Sequence, residues 1–94
     1  MKVLEQGTID SIEYKIVLKK HKTISAEVKC PKCGEWGSLI VIRSHTSKSF
    51  KILHNKKYCY VRYTSDCYDA VDQIWKIRNE WQMKIRRYSV LFYA

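Results

Sequence analysis

The chain has 94 residues, 46% of them hydrophobic, and 18 Lys and Arg against 9 Asp and Glu give it a formal net charge of +9. This length suits one domain with a modest core, and the composition argues against intrinsic disorder. The segment "MKVLEQGTID" has no apolar run, and no stretch of about 18 apolar residues occurs, so we expect neither a signal peptide nor a membrane span. We therefore expect a cytoplasmic protein whose four cysteines are thiols or metal ligands rather than disulfides.

The first third of the chain predicts a β-hairpin over residues 8–29. Apolar and polar residues alternate in residues 11–18 and again in residues 23–29, as they do in half-buried strands. The basic sequence "KKHK" at residues 19–22 separates the two strands and is expected to form the turn. The second strand leads directly into Cys30.

A small antiparallel meander is expected over residues 30–64. It opens with the turn "CPKCG", and three segments rich in β-branched and aromatic residues follow at 36–44, 50–54 and 58–64. The loop "HTSKS" and the turn "NKK" connect these segments, and such short connections join antiparallel neighbours.

Residues 65–88 predict one long α-helix, because they lack Gly and Pro and their apolar residues recur at three- and four-residue steps. Ser65 is a candidate N-cap, with acidic residues near the start and basic residues near the end. The apolar tail "SVLFYA" is expected to be a last strand or a docking segment. The predicted fold is thus a single α+β domain over residues 1–94, with an N-terminal hairpin, a metal-stapled meander, a long C-terminal helix and a short apolar tail.

Half of a metal site is the best interpretation of the "CPKCG" turn. A redox Cys-x-x-Cys pair opens a helix, whose dipole lowers the thiol pKa, whereas this pair precedes a strand. His54 and Cys59 lie at the two ends of the connection "NKKY", so a hairpin would bring them side by side on adjacent strands. We predict that Cys30, Cys33, His54 and Cys59 hold one Zn²⁺ in a closed structural site.

Three alternatives to this ligand set are compatible with the sequence. Cys67 could replace His54 and give a four-cysteine site, although its place in the first turn of the predicted helix favours packing as a small hydrophobe. His45 lies in a polar loop, where a solvated side chain is the ordinary expectation. The third alternative is that the cysteines are ordinary thiols and bind no metal.

The stretch "CPKCGEWGSLIVI…FKILHNKKYCYVRY", residues 30–63, resembles small archaeal zinc-binding proteins of the zinc-ribbon type, with a C-P-x-C-G knuckle and a later His followed by Cys-Tyr-Val. A standard zinc ribbon has two Cys-x-x-Cys knuckles, whereas this chain has one knuckle and a His-x4-Cys hairpin. Many members of the wider group bind DNA or RNA or belong to transcription and translation machinery. The resemblance therefore implies a structural zinc ion and a nucleic-acid partner.

The distribution of charge independently predicts nucleic-acid binding. No acidic residue occurs between Glu35 and Asp66, while aromatic residues are interleaved with cationic residues there. Such side chains neutralise phosphates and stack on bases. The predicted RNA- or DNA-binding residues are Arg43, Lys48, Lys51, Lys56, Lys57, Tyr58, Tyr60 and Arg62. Strand parity places Lys51, Tyr58, Tyr60 and Arg62 on one face, opposite to the face of His54 and Cys59, unless the helix or the hairpin covers the two tyrosines.

The helix supports a rival hypothesis, an adaptor or dimerising accessory subunit that acts through protein–protein contacts. Tyr68 and Trp75 project from a different side of the predicted helix than its main apolar stripe, and one small sheet could not cover both sides. A homodimer or another protein would bury the remainder. We expect no enzymatic activity, because the sequence shows no paired carboxylates, no phosphate-binding glycine loop and no open metal site.

Overall fold

The computed structural model shows a six-stranded antiparallel sheet with one helix packed on it. It describes residues 2–93, apart from the side chains of His21 and of residues 88–93. The strands follow each other in the sheet in the order in which they occur in the chain. Their bounds are β1 Lys2–Ile9, β2 Ile12–Leu18, β3 Ile24–Lys29, β4 Trp36–Arg43, β5 Lys48–His54 and β6 Lys57–Val61. A 3-10 turn at Lys20–Lys22 joins β2 to β3, and the helix α1 spans Tyr68–Tyr93.

The α+β class is confirmed, and the predicted hairpin and meander form one continuous sheet. Strands β2 to β6 correspond to the five predicted segments, although β5 begins two residues before its predicted start and β6 ends at Val61 rather than at residue 64. Strand β1 was not predicted, and it pairs with β2 along its whole length. The expected N-terminal hairpin therefore forms the second and third strands of a three-stranded unit, β1–β2–β3, and the sheet continues from β3 into β4.

Two hairpins close with the same tight connection. Asp10 and Ser11 join β1 to β2 with φ of 48° and 71°, and Asn55 and Lys56 join β5 to β6 with φ of 45° and 67°. Two successive residues with positive φ define the two-residue turn whose twist matches that of antiparallel strands. The second of these turns aligns His54 directly opposite Lys57, which fixes the register between β5 and β6.

Alternate residues of the strands form two faces of the sheet, and α1 packs against one of them, which we call the inner face. The core between this face and the helix includes Ile16, Ala26, Phe50 and Ile52 from the strands and Ile74 from α1. These side chains are at most 2% exposed. The opposite parity defines the outer face, where Ser38 pairs with Leu53 and Leu53 pairs with Tyr58.

The helix does not present a second, unpacked aromatic side at Tyr68 and Trp75, and this premise of the adaptor hypothesis was wrong. The ring centroids of Tyr68 and Trp75 lie 5.6 and 6.2 Å from that of Phe50, so both rings pack on the core. The Tyr68 hydroxyl also donates a hydrogen bond to the Lys48 carbonyl. The observation that suggested a homodimer through this helix is thereby removed, while the homodimer itself stays an untested prediction.

The beginning of α1 also differs from the prediction. The helix begins at Tyr68, three residues after the predicted cap. The Ser65 hydroxyl accepts a hydrogen bond from the backbone N–H of Arg62, so it closes the turn after β6 instead of capping the helix. Residues 89–93 continue α1, so the expectation of a last strand in the tail was wrong. The alternative, a docking segment, depends on side chains that lie outside the described residues.

A carboxylate on β1 links the sheet to the helix. Glu5 accepts hydrogen bonds from the Trp81 indole at 3.0 Å and from the Tyr14 hydroxyl at 2.7 Å. The bond from Trp81, followed by that from Tyr14, holds the pKa of Glu5 below its ordinary value. Burial, together with the bond to Glu5, raises the pKa of Tyr14 to about 12.

Candidate metal centre and outer sheet face

Four predicted ligands converge at one end of the sheet. The knuckle between β3 and β4 supplies Cys30 and Cys33, the end of β5 supplies His54, and β6 supplies Cys59. Their ligand atoms all lie within 4.8 Å of one another. The Sγ atoms of Cys33 and Cys59 are 3.3 Å apart, and His54 Nε2 is 3.1 Å from Cys59 Sγ. A Cys3His group close enough to bind a metal ion is therefore present.

The backbone of the knuckle forms a tight turn that brings its two cysteines together. The N–H of Gly34 donates to the carbonyl of Cys30, and the N–H of Cys30 donates to the carbonyl of Glu35, both at 2.8 Å. Gly34 has a φ of 72°, a conformation that residues with a side chain rarely adopt. The turn thus folds back on itself and aims both cysteines at the β5–β6 hairpin.

Ionisation of the thiols is strongly interdependent. Burial of Cys30 opposes its ionisation, but hydrogen bonds from the backbone N–H groups of Cys33 and Lys32 and from neighbouring thiols lower its pKa below the ordinary value. The hydrogen bond with Cys33, then burial and the proximity of Cys30, raise the pKa of Cys59 to about 12. Thiolates this close repel each other, and a cation bound between them would offset that repulsion.

Two residues that sequence reasoning missed support His54. Glu35 Oε2 lies 3.3 Å from Nδ1 of His54, although Nδ1 lacks a hydrogen bond of good geometry. A carboxylate beside the second ring nitrogen orients a ligand histidine and leaves Nε2 for the metal. Gly37, on the neighbouring strand β4, lies next to His54. A Cβ atom on Gly37 would be 2.9 Å from His54 Cβ. The close approach of β4 to β5 therefore requires glycine at this position.

The alternative ligands lie apart from this group. Cys67 packs against the core at the start of the helical region, and burial raises the pKa of its thiol. His45 is exposed in the loop between β4 and β5. Within residues 2–93, neither belongs to the Cys3His group, whereas His54 does.

Four of the eight predicted nucleic-acid-binding residues share the outer face. Lys51 is paired with Tyr60 across β5 and β6, and its Nζ lies 4.4 Å from the ring centroid of Tyr58. Arg62 lies 5.9 Å from the ring centroid of Tyr60. Tyr58 and Tyr60 are 49% and 48% exposed, so neither the helix nor the N-terminal strands cover them.

The other four predicted residues lie elsewhere. Lys48 has the parity of the inner face, and its Nζ makes a 2.6 Å ion pair with Asp72 of α1. Burial opposes the ionisation of Asp72, but Lys48 and then Lys76 outweigh it and lower the pKa of this carboxyl. Lys48 thus fastens the helix to the sheet. The remaining three are exposed at strand ends and in the β5–β6 turn: Arg43, Lys56 and Lys57.

Sequence reasoning also missed an aromatic residue of the outer face, Trp36 on β4. It pairs with Lys29, is 38% exposed, and has Lys15 Nζ 4.4 Å from its ring centroid. The alternation of β4 could have identified it, because Trp36 and Ser38 share one parity.

No family model, curated protein or solved structure matches this chain. Over the described part of the chain, no helix combines the length and the apolar character needed to cross a membrane.

Proposed function

We propose that this protein is a nucleic-acid-binding module whose sheet is held in shape by one structural Zn²⁺. Three cysteines and one histidine form the donor set of many tetrahedral zinc sites. Zn–S bonds of about 2.3 Å imply sulfur–sulfur separations of about 3.8 Å. The Sγ atoms of Cys33 and Cys59 are 3.3 Å apart and all the ligand atoms lie within 4.8 Å of one another, so a small adjustment would admit the ion. The resemblance of residues 30–63 to zinc-ribbon proteins favours the same metal. With four protein ligands the ion has no open position, so its role is to stabilise the fold.

One observation carries the nucleic-acid proposal: the exposed rings of Tyr58 and Tyr60 lie beside the cations Lys51 and Arg62 on the uncovered face of the sheet. Cationic groups attract phosphates and release their counterions, and exposed rings stack on bases. The metal ligand Cys59 lies between the two tyrosines in β6 and points to the other face. Zinc binding would therefore fix the strand that presents the rings.

The metal is tested by measuring zinc content in protein purified without added metal. We expect one zinc per chain, with the zinc lost or weakly held after His54→Ala. Cys67→Ser is the matched control, because this thiol lies outside the Cys3His group. Wild-type protein that contains no zinc and does not bind it on addition would refute the metal centre.

Nucleic-acid binding is tested by titrating zinc-loaded protein with RNA and DNA at several salt concentrations. If about four phosphates are contacted, log K should fall with log[salt] with a slope of about −3 to −4. The double variant Lys51→Ala/Arg62→Ala should bind all sequences more weakly and reduce the magnitude of the slope by about 1.5. Lys19→Ala/Lys20→Ala, at the turn that joins β2 to β3, is the control for the loss of two charges. Binding that is insensitive to salt, or unchanged in the double variant, would refute the proposal.

A further inference from the structure

The geometry points to single-stranded nucleic acid as the ligand of the outer face, with bases stacked on Tyr58, Tyr60 and Trp36. This inference rests on the proposed nucleic-acid-binding function and specifies its substrate class. Three features carry it: the spacing of the two tyrosines, the cation beside each ring, and the position of the tryptophan next to an open depression.

The spacing of the tyrosines fits separated bases. Tyr58 and Tyr60 are alternate residues of β6, so their side chains leave the same face about 6.7 Å apart. Stacked nucleotides in one strand rise by about 3.4 Å each. The two tyrosine side chains are separated by about twice this rise. Two neighbouring bases that each stack on one tyrosine therefore cannot also remain stacked on each other. Base pairing holds bases in the stack of a duplex, whereas a single strand can spread them onto the protein rings.

Each tyrosine has a positive charge over its ring. Lys51 Nζ lies over Tyr58 and Arg62 Cζ over Tyr60, at 4.4 and 5.9 Å from the ring centroids. A base that stacks on either tyrosine would take the opposite face of the ring or displace the flexible cation from this one. A strand whose bases cover the rings would pass its phosphates close to these cations. Because strands β4 to β6 contain no acidic residue, no carboxylate of those strands repels the phosphates.

Trp36 offers a third stacking position on the same face. It lies two strands away from β6, and strand spacings place its Cα about 12 Å from that of Tyr58. Lys15 lies above its ring, which repeats the pairing of ring and cation. The ring also borders an open depression of about 430 Å³, whose polar lining includes Gln6, Thr8 and Glu13. These side chains supply donors and acceptors for the edge of an unpaired base.

The test compares single strands with duplexes of the same sequence, using zinc-loaded protein and labelled oligonucleotides of about ten nucleotides in RNA and DNA forms. We expect single strands to bind at least about tenfold more tightly than duplexes. Tyr58→Ala and Tyr60→Ala should each weaken single-strand binding by about 5- to 150-fold, and the Tyr→Phe variants should retain it. Tyr63→Ala is the matched control, because Tyr63 is 76% exposed but its ring packs on Tyr68 of the helix.

Trp36 gives an independent readout. A base stacked on its indole should quench its fluorescence, while Trp75 and Trp81, which pack against the core, should change little. Trp36→Phe should abolish the quenching and retain most of the affinity, whereas Trp36→Ala should reduce the affinity by about 5-fold or more.

The outcomes separate this inference from the function on which it rests. Duplexes bound as tightly as single strands would overturn the single-strand inference and leave nucleic-acid binding intact. Failure to bind either form would overturn both. Tighter binding of single strands in both the RNA and the DNA arm supports the inference, and the stronger arm identifies which nucleic acid the protein prefers.

Discussion

Adding one methyl group at Gly37 tests how closely β4 must approach β5 beside the metal centre. A Cβ atom at this position would lie 2.6 Å from the Leu53 carbonyl oxygen, 2.8 Å from Ile52 Cγ2 and 2.9 Å from His54 Cβ. All three distances are below 3.0 Å, a separation that real Cβ atoms essentially never show. The carbonyl oxygen and His54 Cβ belong to β5 or are attached directly to it, so rotation of a side chain cannot relieve the clash.

The expected destabilisation by Gly37→Ala is about 1–3 kcal/mol, which is typical of overpacking. With a urea dependence of about 2 kcal/mol per M, this lowers the urea midpoint of unfolding by about 0.5–1.5 M. Relief of the clash requires β5 to move away, and His54 moves with it. Zinc affinity measured by chelator competition should therefore fall by about tenfold or more.

Gly7→Ala is the matched control for this prediction. Its Cβ would meet only the outer part of the Tyr14 ring, at 3.1–3.3 Å, and β1 lies far from the metal ligands in the order of the sheet. This variant should lose some stability and keep wild-type zinc affinity. Wild-type zinc affinity and an unchanged urea midpoint in Gly37→Ala would refute the close-approach argument.

Three other predictions follow from the metal centre and from the carboxylate on β1. Removal of zinc with a chelator should abolish nucleic-acid binding, and zinc but not magnesium should restore it. Full binding by the metal-free protein would contradict the proposal that zinc binding at Cys59 fixes the position of Tyr58 and Tyr60 on β6. Glu35→Ala should weaken zinc binding by up to about tenfold, since this carboxylate faces His54 Nδ1, whereas Glu13→Ala, which removes a similarly exposed acid, should not change it. Because the folded-state pKa of Glu5 is depressed, its stabilising contribution is present above its ordinary value of 4.5 and is lost as the pH falls through the folded pKa. The stability difference between wild type and Glu5→Gln should therefore be constant near neutral pH and shrink below about pH 4.5, and a difference that grows in acid would contradict this role of Glu5.

Most strands were predictable from alternating apolar residues or from a high content of β-branched and aromatic residues, and β1 shows why these signals can fail. The register of β1 against β2 shifts between Val3 and Glu5, so the alternation is interrupted by a bulge. Beyond the bulge, Gly7 is opposite Tyr14. Because glycine has no side chain, this inward position does not contribute to an apolar pattern in the sequence. The charged Glu5 occupies a half-buried position because Tyr14 and Trp81 hydrogen-bond to it. Such compensation depends on partners that are distant in sequence.

The Cys3His group was predictable because each half of it is formed by residues close together in the sequence. The spacing of Cys30 and Cys33 defines a knuckle, and a hairpin turn brings His54 and Cys59 together whatever the rest of the fold does. The support for His54 is not local, because the approach of β4 that requires Gly37 becomes visible only when the sheet is assembled.

The packing of the helix was harder to predict for a similar reason. Helical periodicity identifies the residues that share one side of the helix, but it does not show how wide a surface the sheet offers. Phe50 is large enough to contact both Tyr68 and Trp75, so a wider part of the helix is covered than the main apolar stripe indicates.

Lys32, the lysine of the knuckle, contacts the edge strand β6, and this contact bears on self-association. Its Nζ donates a hydrogen bond to the carbonyl of Tyr60 at 3.3 Å, and β6 is the last strand of the sheet. The outward carbonyls of a terminal strand are a template on which another chain can add a strand, and a lysine placed there blocks that pairing. The same knuckle carries Cys30 and Cys33 of the candidate metal centre. If the proposed zinc ion stabilises this knuckle, removing the ion would also free Lys32 from the edge of β6, and the tyrosine-rich edge would then be open to strand addition and aggregation.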